Sequence, residues 1–299
     1  MDPNTGLTFW LTNWNWQPSI ILGTIAIICL YLYAVGPLAR RWNQQVQGYQ
    51  MFCFLAGVIC MFLSLFSALD ELGDTYLFSA HMIQHMILTT IGPPLMLTGI
   101  PGWLFEPVFR NRLLLRVGRV LTNPFVAFAL FNGNFWFWHA PPLYDATLSN
   151  LNLHILEHLL FIGTGFIYWW PVFSPSRELP ALSVGGKILY LFLGGMPTVA
   201  LGAGLTFAAP IYTPYINAPR IWGISAATDQ QLGGLIMWIP GSLLTIVIVS
   251  IIFIRWMQMQ EQKQRAAEAL QYGDVVEDEN NEEWEEDESE EVQLHKGIL

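Results

Sequence analysis

The sequence predicts an all-α fold, a polytopic membrane protein built as a bundle of seven transmembrane helices with its N-terminus outside and its C-terminus cytoplasmic. Three observations lead there. The 299 residues are 53% hydrophobic and only 12% charged, about half the charge of an ordinary soluble domain, and the mean hydropathy is +0.41. Several apolar runs exceed the roughly 18 residues that argue for a bilayer span. These runs lack the alternation of a membrane β-barrel strand, so backbone polarity must be satisfied within helices.

The first expected span, 18–36, follows a short outer segment, 1–17, and ends at Gly36–Pro37. No basic region precedes it, so it reads as a retained helix rather than a cleaved signal. The second, 50–68, carries Cys53 and Cys60, and the first carries Cys29. Three cysteines without a paired spacing form no disulfide framework and read as small buried side chains. The third, 78–100, contains Pro93 and Pro94. The fourth, 123–140, stops at the "APP" of 140–142. The fifth is 152–173. The sixth, 184–208, contains Pro197, and the seventh, 228–255, contains Pro240. Each internal proline kinks its helix and frees carbonyls that neighbours must satisfy.

The spans define a domain over 18–258, followed by a tail over 259–299. Most of the acidic residues lie in "DVVEDENNEEWEEDESEEVQLHKGIL", against a net charge of −10 for the whole chain. Such a block repels itself and buries little, so it is expected to be largely disordered. The rest has no basic stripe for nucleic acid; its expected environment is the lipid bilayer.

Orientation follows from the basic residues. One side holds Arg40, Arg41, Arg110, Arg112, Arg116, Arg119, Arg177, Lys187, Arg255, Lys263 and Arg265, and the other holds essentially only Arg220. Positive loops stay cytoplasmic. The outer loops then contain "DELGD" at 70–74, Asp145 and the aromatic "PIYTPYINAPRIWG" segment from 210.

On that topology five histidines gather at the outer edge. "FSAHMIQHMIL" places His81 and His85 four residues apart at the outer end of the third span, and "NLHILEHLLF" does the same for His154 and His158 in the fifth. A spacing of four keeps both rings on one helix face, roughly 6 Å apart. His139 ends the fourth span. If the two helices pack together, the pairs make a four-imidazole metal site. Imidazole suits copper, zinc and iron, and thioether shifts the preference to Cu(I). Met82 and Met86 adjoin the third-span pair, about 100° around the helix. Glu157 can ligate or orient an imidazole. Asp229, at the outer start of the seventh span, can cap a helix or orient a ligand. The "HILEH" stretch also fits an inverted zinc-peptidase pattern, with His154 and His158 on zinc and Glu157 activating water. A haem clamped by one histidine of each pair is a further reading, with Gly163 and Gly165 giving room, but it leaves the spacing unexplained. In the fourth span Asn132, Trp136 and His139 share a face, suited to interhelical hydrogen bonds, and Trp169–Trp170 suggest an inner aromatic belt.

The stretches "HMIQHMILTTIGPPLMLTGIP", "FWFWHAPPLYDATLSNLNLHILEHLLFIGTGFIYWWPV" and "DQQLGGLIMWIPG" resemble the CtaG family of cytochrome c oxidase assembly factors, the polytopic bacterial family associated with caa-type oxidases. The resemblance covers most of residues 10–258. It implies a non-enzymatic protein of the bacterial cell membrane needed to build active oxidase, with a link to copper delivery. Oxidase subunits or a copper chaperone would be its partners. The motif histidines correspond to His81, His85, His139, His154 and His158. Competing classes are a copper transporter, a haem-binding membrane protein and a scaffold whose histidines are incidental.

Overall fold

The computed structural model describes residues 6–296, without the side chains of Leu7 and of residues 270–296. Among the described residues there are helices and no strands. The long ones are α1 (Pro18–Arg41), α2 (Gly48–Phe66), α3 (Phe78–Gly99), α4 (Pro124–Trp138), α5 (Leu151–Phe173), α6 (Val184–Phe207) and α7, which begins at Ala226. Among the described residues, five helices are long and apolar enough to cross a membrane alone. Counting each of two bent pairs as one span gives up to seven. The bent pairs are α3 with Gly102–Phe109, at 88°, and Arg112–Leu121 with α4, at 65°.

Local chemistry sets the boundaries. Gln47 and Gln50 bond each other's backbone reciprocally to start α2, a capping box. Asn123, Asn150 and Ser183 accept backbone N–H bonds at the starts of α4, α5 and α6. The expected proline distortion is present in α3, where a wide π turn, Ile87–Ile91, precedes Pro93 and Pro94. Neither proline has an N–H to offer back to the preceding turn. The Thr89 carbonyl instead accepts from the Trp169 indole at 2.9 Å. Trp169 is therefore 2% exposed, a core hydrogen-bond donor rather than the belt residue expected from its position. Pro37 likewise sits in a π turn, Ala34–Leu38.

Small residues let helices approach closely. A Cβ on Gly234 in α7 would meet the Gly202 carbonyl oxygen at 2.6 Å and the Thr206 nitrogen at 2.7 Å in α6. Between α4 and α6, the Trp136 indole donates to the Pro197 carbonyl at 3.2 Å and Thr198 donates to Asn132 at 3.4 Å, the interhelical role expected of that face. The cysteines are free, but Cys29 is exposed and the other two are half-buried, so they face outward from the bundle more than expected.

The chain divides into two compact units, Met1–Val247 and Ile248–Leu299. In the second, the helical backbone begun at Ala226 continues to Lys296, over a tail expected to lack structure. Pairs four residues apart, Glu261 with Arg265 and Glu268 with Gln264 at 3.0 Å, suit a solvated helix. The side chains of the acidic run itself lie outside the described residues.

Candidate metal centre

The site lies in the first unit, at the end of the bundle where α3 and α5 begin and α4 stops. Three short segments roof it: Leu72–Tyr76, Pro141–Ser149 and Thr213–Asn217. Asp229 fixes the start of α3. Its carboxylate accepts from the Phe78 and Ser79 backbone N–H groups at 2.7 and 3.0 Å and from the Ser79 hydroxyl at 2.6 Å. It thus caps a neighbouring helix and has its oxygens committed there.

The i,i+4 spacing does what helical geometry requires. His81 Nε2 stands 2.7 Å from His85 Nε2, and His154 Nε2 stands 3.1 Å from His158 Nε2. The two pairs face each other. Ring centroids are 5.4 Å apart for His81 and His154, 5.9 Å for His81 and His158, and 5.5 Å for His85 and His158. Single nitrogens of His81, His154 and His158 lie within 4.8 Å of one another, and the same holds for His81, His85 and a Glu157 oxygen.

Burial is deep. His81, His85 and Glu157 are 0%, 1% and 0% exposed. Glu157 points into the cluster, 3.9 Å from His85 Nε2, and neither of its oxygens has a hydrogen-bond partner. The nearby Thr147 hydroxyl is spent on the Tyr144 carbonyl at 2.8 Å. His85 Nδ1 is also without a partner. A buried carboxylate left unpaired is costly, and a cation bound between it and His85 Nε2 would satisfy it. The donor set, four imidazoles and a carboxylate, suits a transition-metal ion.

Asp74 was placed by sequence only in an outer acidic loop. The structure brings it to the site, with its oxygens 3.5 Å from His81 Nδ1 and 3.4 Å from His154 Nδ1. Its side chain is 29% exposed, making it the solvent-facing member of the group. Burial, with Asp70, Glu71 and Glu157 nearby, holds its carboxyl well above the usual range. Gly73 makes the approach possible, since a Cβ there would meet the His81 backbone at 3.0 Å. Tyr215 was equally unassigned. Its hydroxyl donates to the Gly73 carbonyl at 2.7 Å and lies 3.3 Å from His81 Nδ1 and 3.3 Å from the Tyr144 hydroxyl. The "DELGD" run next to a histidine pair and the tyrosines of "PIYTPYINAPRIWG" were the available signals.

The remaining candidates separate. His139 donates from Nδ1 to the Phe135 carbonyl at 2.7 Å, leaving Nε2 to face the Met82 sulfur at 3.5 Å. Its ring centroid is 6.0 Å from that of His85, so this imidazole–thioether pair flanks the cluster. Met86 points away, into an apolar cavity of about 420 Å³ lined also by Phe131, Phe135, Tyr168, Leu191 and Met237.

Comparison with known proteins gives the family. The family described as cytochrome c oxidase caa3 assembly factor (Caa3_CtaG) matches residues 29–259. Proteins described as uncharacterized from Mycobacterium bovis and Mycobacterium tuberculosis are each 25% identical over 267 residues, 81% of this chain. One from Mycobacterium leprae is 25% identical over 266 residues. The chain spans 39% of the length of these curated relatives. No solved structure matches it.

Proposed function

The chain belongs to the Caa3_CtaG family of cytochrome c oxidase assembly factors, and on that premise we propose that its buried histidine cluster takes up copper at the outer face of a bacterial cell membrane and passes it on during oxidase assembly. The acceptor is an oxidase subunit or a copper chaperone. The observation that carries this reading is the meeting of two histidine pairs from α3 and α5 around an unpartnered Glu157 carboxylate. Six imidazole and carboxylate groups within one roofed pocket favour a cation over any neutral cargo. Nitrogens 2.7 and 3.1 Å apart within each pair favour a small ion over a porphyrin, which needs a flat slot between single axial ligands. Among ions, imidazole with a flanking thioether at Met82 favours copper.

The role is ligand exchange rather than covalent catalysis. Neighbouring imidazoles can be replaced one at a time, so the ion need never be bare. The outer placement rests on the basic residues of the opposite side.

Metal content of the purified full chain tests the reading. After anaerobic loading with Cu(I), the wild type is expected to retain copper. A variant with alanine at His81, His85, His154 and His158 is expected to lose that copper. Equal copper in both proteins, or none in the wild type, would overturn the site.

A further inference from the structure

Deepening that reading, and resting on it, we infer that the cluster holds two ions rather than one, in an outer and an inner station that share His81.

Metal–imidazole bonds are about 2 Å long, so donors on one ion lie roughly 4 Å apart or less. Donor atoms within 4.8 Å of one another fall into two sets. One is His81, His154 and His158; the other is His81, His85 and Glu157. His81 alone belongs to both. No single ion reaches every donor, and neither set includes the full complement of the other.

Each set has its own carboxylate. Asp74 stands 3.5 and 3.4 Å from the Nδ1 atoms of His81 and His154. Glu157 stands 3.9 Å from His85 Nε2 and is fully buried. The acids therefore lie against opposite sides of His81. Its Nδ1 faces Asp74 while its Nε2 faces His85 at 2.7 Å. One ring can then serve both stations, its N–H proton passing to bulk water on the Asp74 side when the second ion binds.

Charge supports the same count. A buried cation needs a compensating anion close by. Two carboxylates and the deprotonated His81 ring supply enough negative charge for two singly charged ions, and the other imidazoles stay neutral. The half-buried Asp74, 29% exposed, marks the station nearer water, and the fully buried Glu157 marks the sealed one.

Copper counting on the full-length protein in detergent tests this, with Cu(I) as the probe under anaerobic conditions and a competing chelator to set free copper. The four-histidine alanine variant provides the blank for copper held elsewhere, the tail included. Two ions per chain above that blank are expected. Asp74→Asn and Glu157→Gln, which keep side-chain size, are each expected to retain one. One ion in the wild type would overturn the two stations while leaving the copper reading standing. None would overturn both. Two ions in either carboxylate variant, or none, would overturn the assignment of one acid to each station. If a variant fails to fold, the wild-type count still decides, joined by the copper–copper scattering distance from X-ray absorption. Two ions bridged by one imidazole lie about 6 Å apart, two metal–nitrogen bonds plus the ring; a copper–copper vector near 3 Å would overturn the shared His81.

Discussion

The indole N–H of Trp169 in α5 donates to the carbonyl of Thr89 in α3 at 2.9 Å. Thr89 precedes Pro93 by four residues and Pro94 by five, so neither an α nor a π turn can supply that carbonyl with a backbone partner. One helix repairs the other just below the histidine pairs. Trp169→Phe should cost about 1–3 kcal/mol, the usual loss when a buried polar atom is left unpaired. Pro93→Ala restores a local N–H, so the Trp169→Phe loss should shrink in that background. Thermal unfolding of all four proteins in detergent measures the coupling; equal losses in both backgrounds would mean the indole acts through packing alone.

Asp229 offers a sharp contrast with the clustered histidines. Its three accepted bonds fix the first turn of α3. Asp229→Ala should lower stability by about 1–3 kcal/mol, in the range of a lost cap and charged hydrogen bonds. Copper content per folded chain should stay at the wild-type value. A selective loss of copper without a fall in melting temperature would make Asp229 a ligand after all.

Copper binding should stabilise the fold. A ligand that binds only the native state contributes about 2.7 kcal/mol at a free concentration one hundred times its dissociation constant. The melting temperature of the wild type should rise on adding Cu(I) and fall again with a chelator. The variant lacking the four paired histidines should not respond. An equal rise in both proteins would place the binding outside the cluster.

The contact between α6 and α7 predicts a difference between glycines. Gly234→Ala drives a methyl against the Gly202 carbonyl and Thr206 nitrogen, and overpacking of this kind costs about 1–3 kcal/mol. Gly204→Ala meets nothing within 4 Å and should be neutral or slightly stabilising through helix propensity. Comparing their melting curves checks this; similar losses would remove the close approach as the cause.

Much of this architecture was legible in the amino acids because it depends on periodicity. A spacing of four is enough to put His81 beside His85 and His154 beside His158. Paired prolines are enough to predict a distorted α3. Depth along a span was legible too, which is why every candidate ligand belonged to the end where the two histidine pairs meet. Angle around the helix was less so. Met86 lies within one turn of His85 yet faces the apolar cavity, and Asp229 reaches the right depth only to cap its neighbour. Loop geometry was hidden altogether. Asp74 and Tyr215 reach His81 from segments about 7 and 134 residues away in sequence, and only the folded roof, closed at Gly73, puts them there. The tryptophan pair misled for a related reason: an indole near a span end suggests an interface, but an unsatisfied carbonyl on α3 drew Trp169 inward.

The Tyr215 hydroxyl clasps the Gly73 carbonyl directly above His81, and that clasp separates how tightly the pocket holds its contents from how long it holds them. Anything seated against His81 and His85, both shut off from solvent, can leave only as fast as the overlying loops part. Dwell time then belongs to loop motion and affinity to the donor atoms. A docking protein that pries the loops open would hasten release without having to outcompete the histidines at equilibrium.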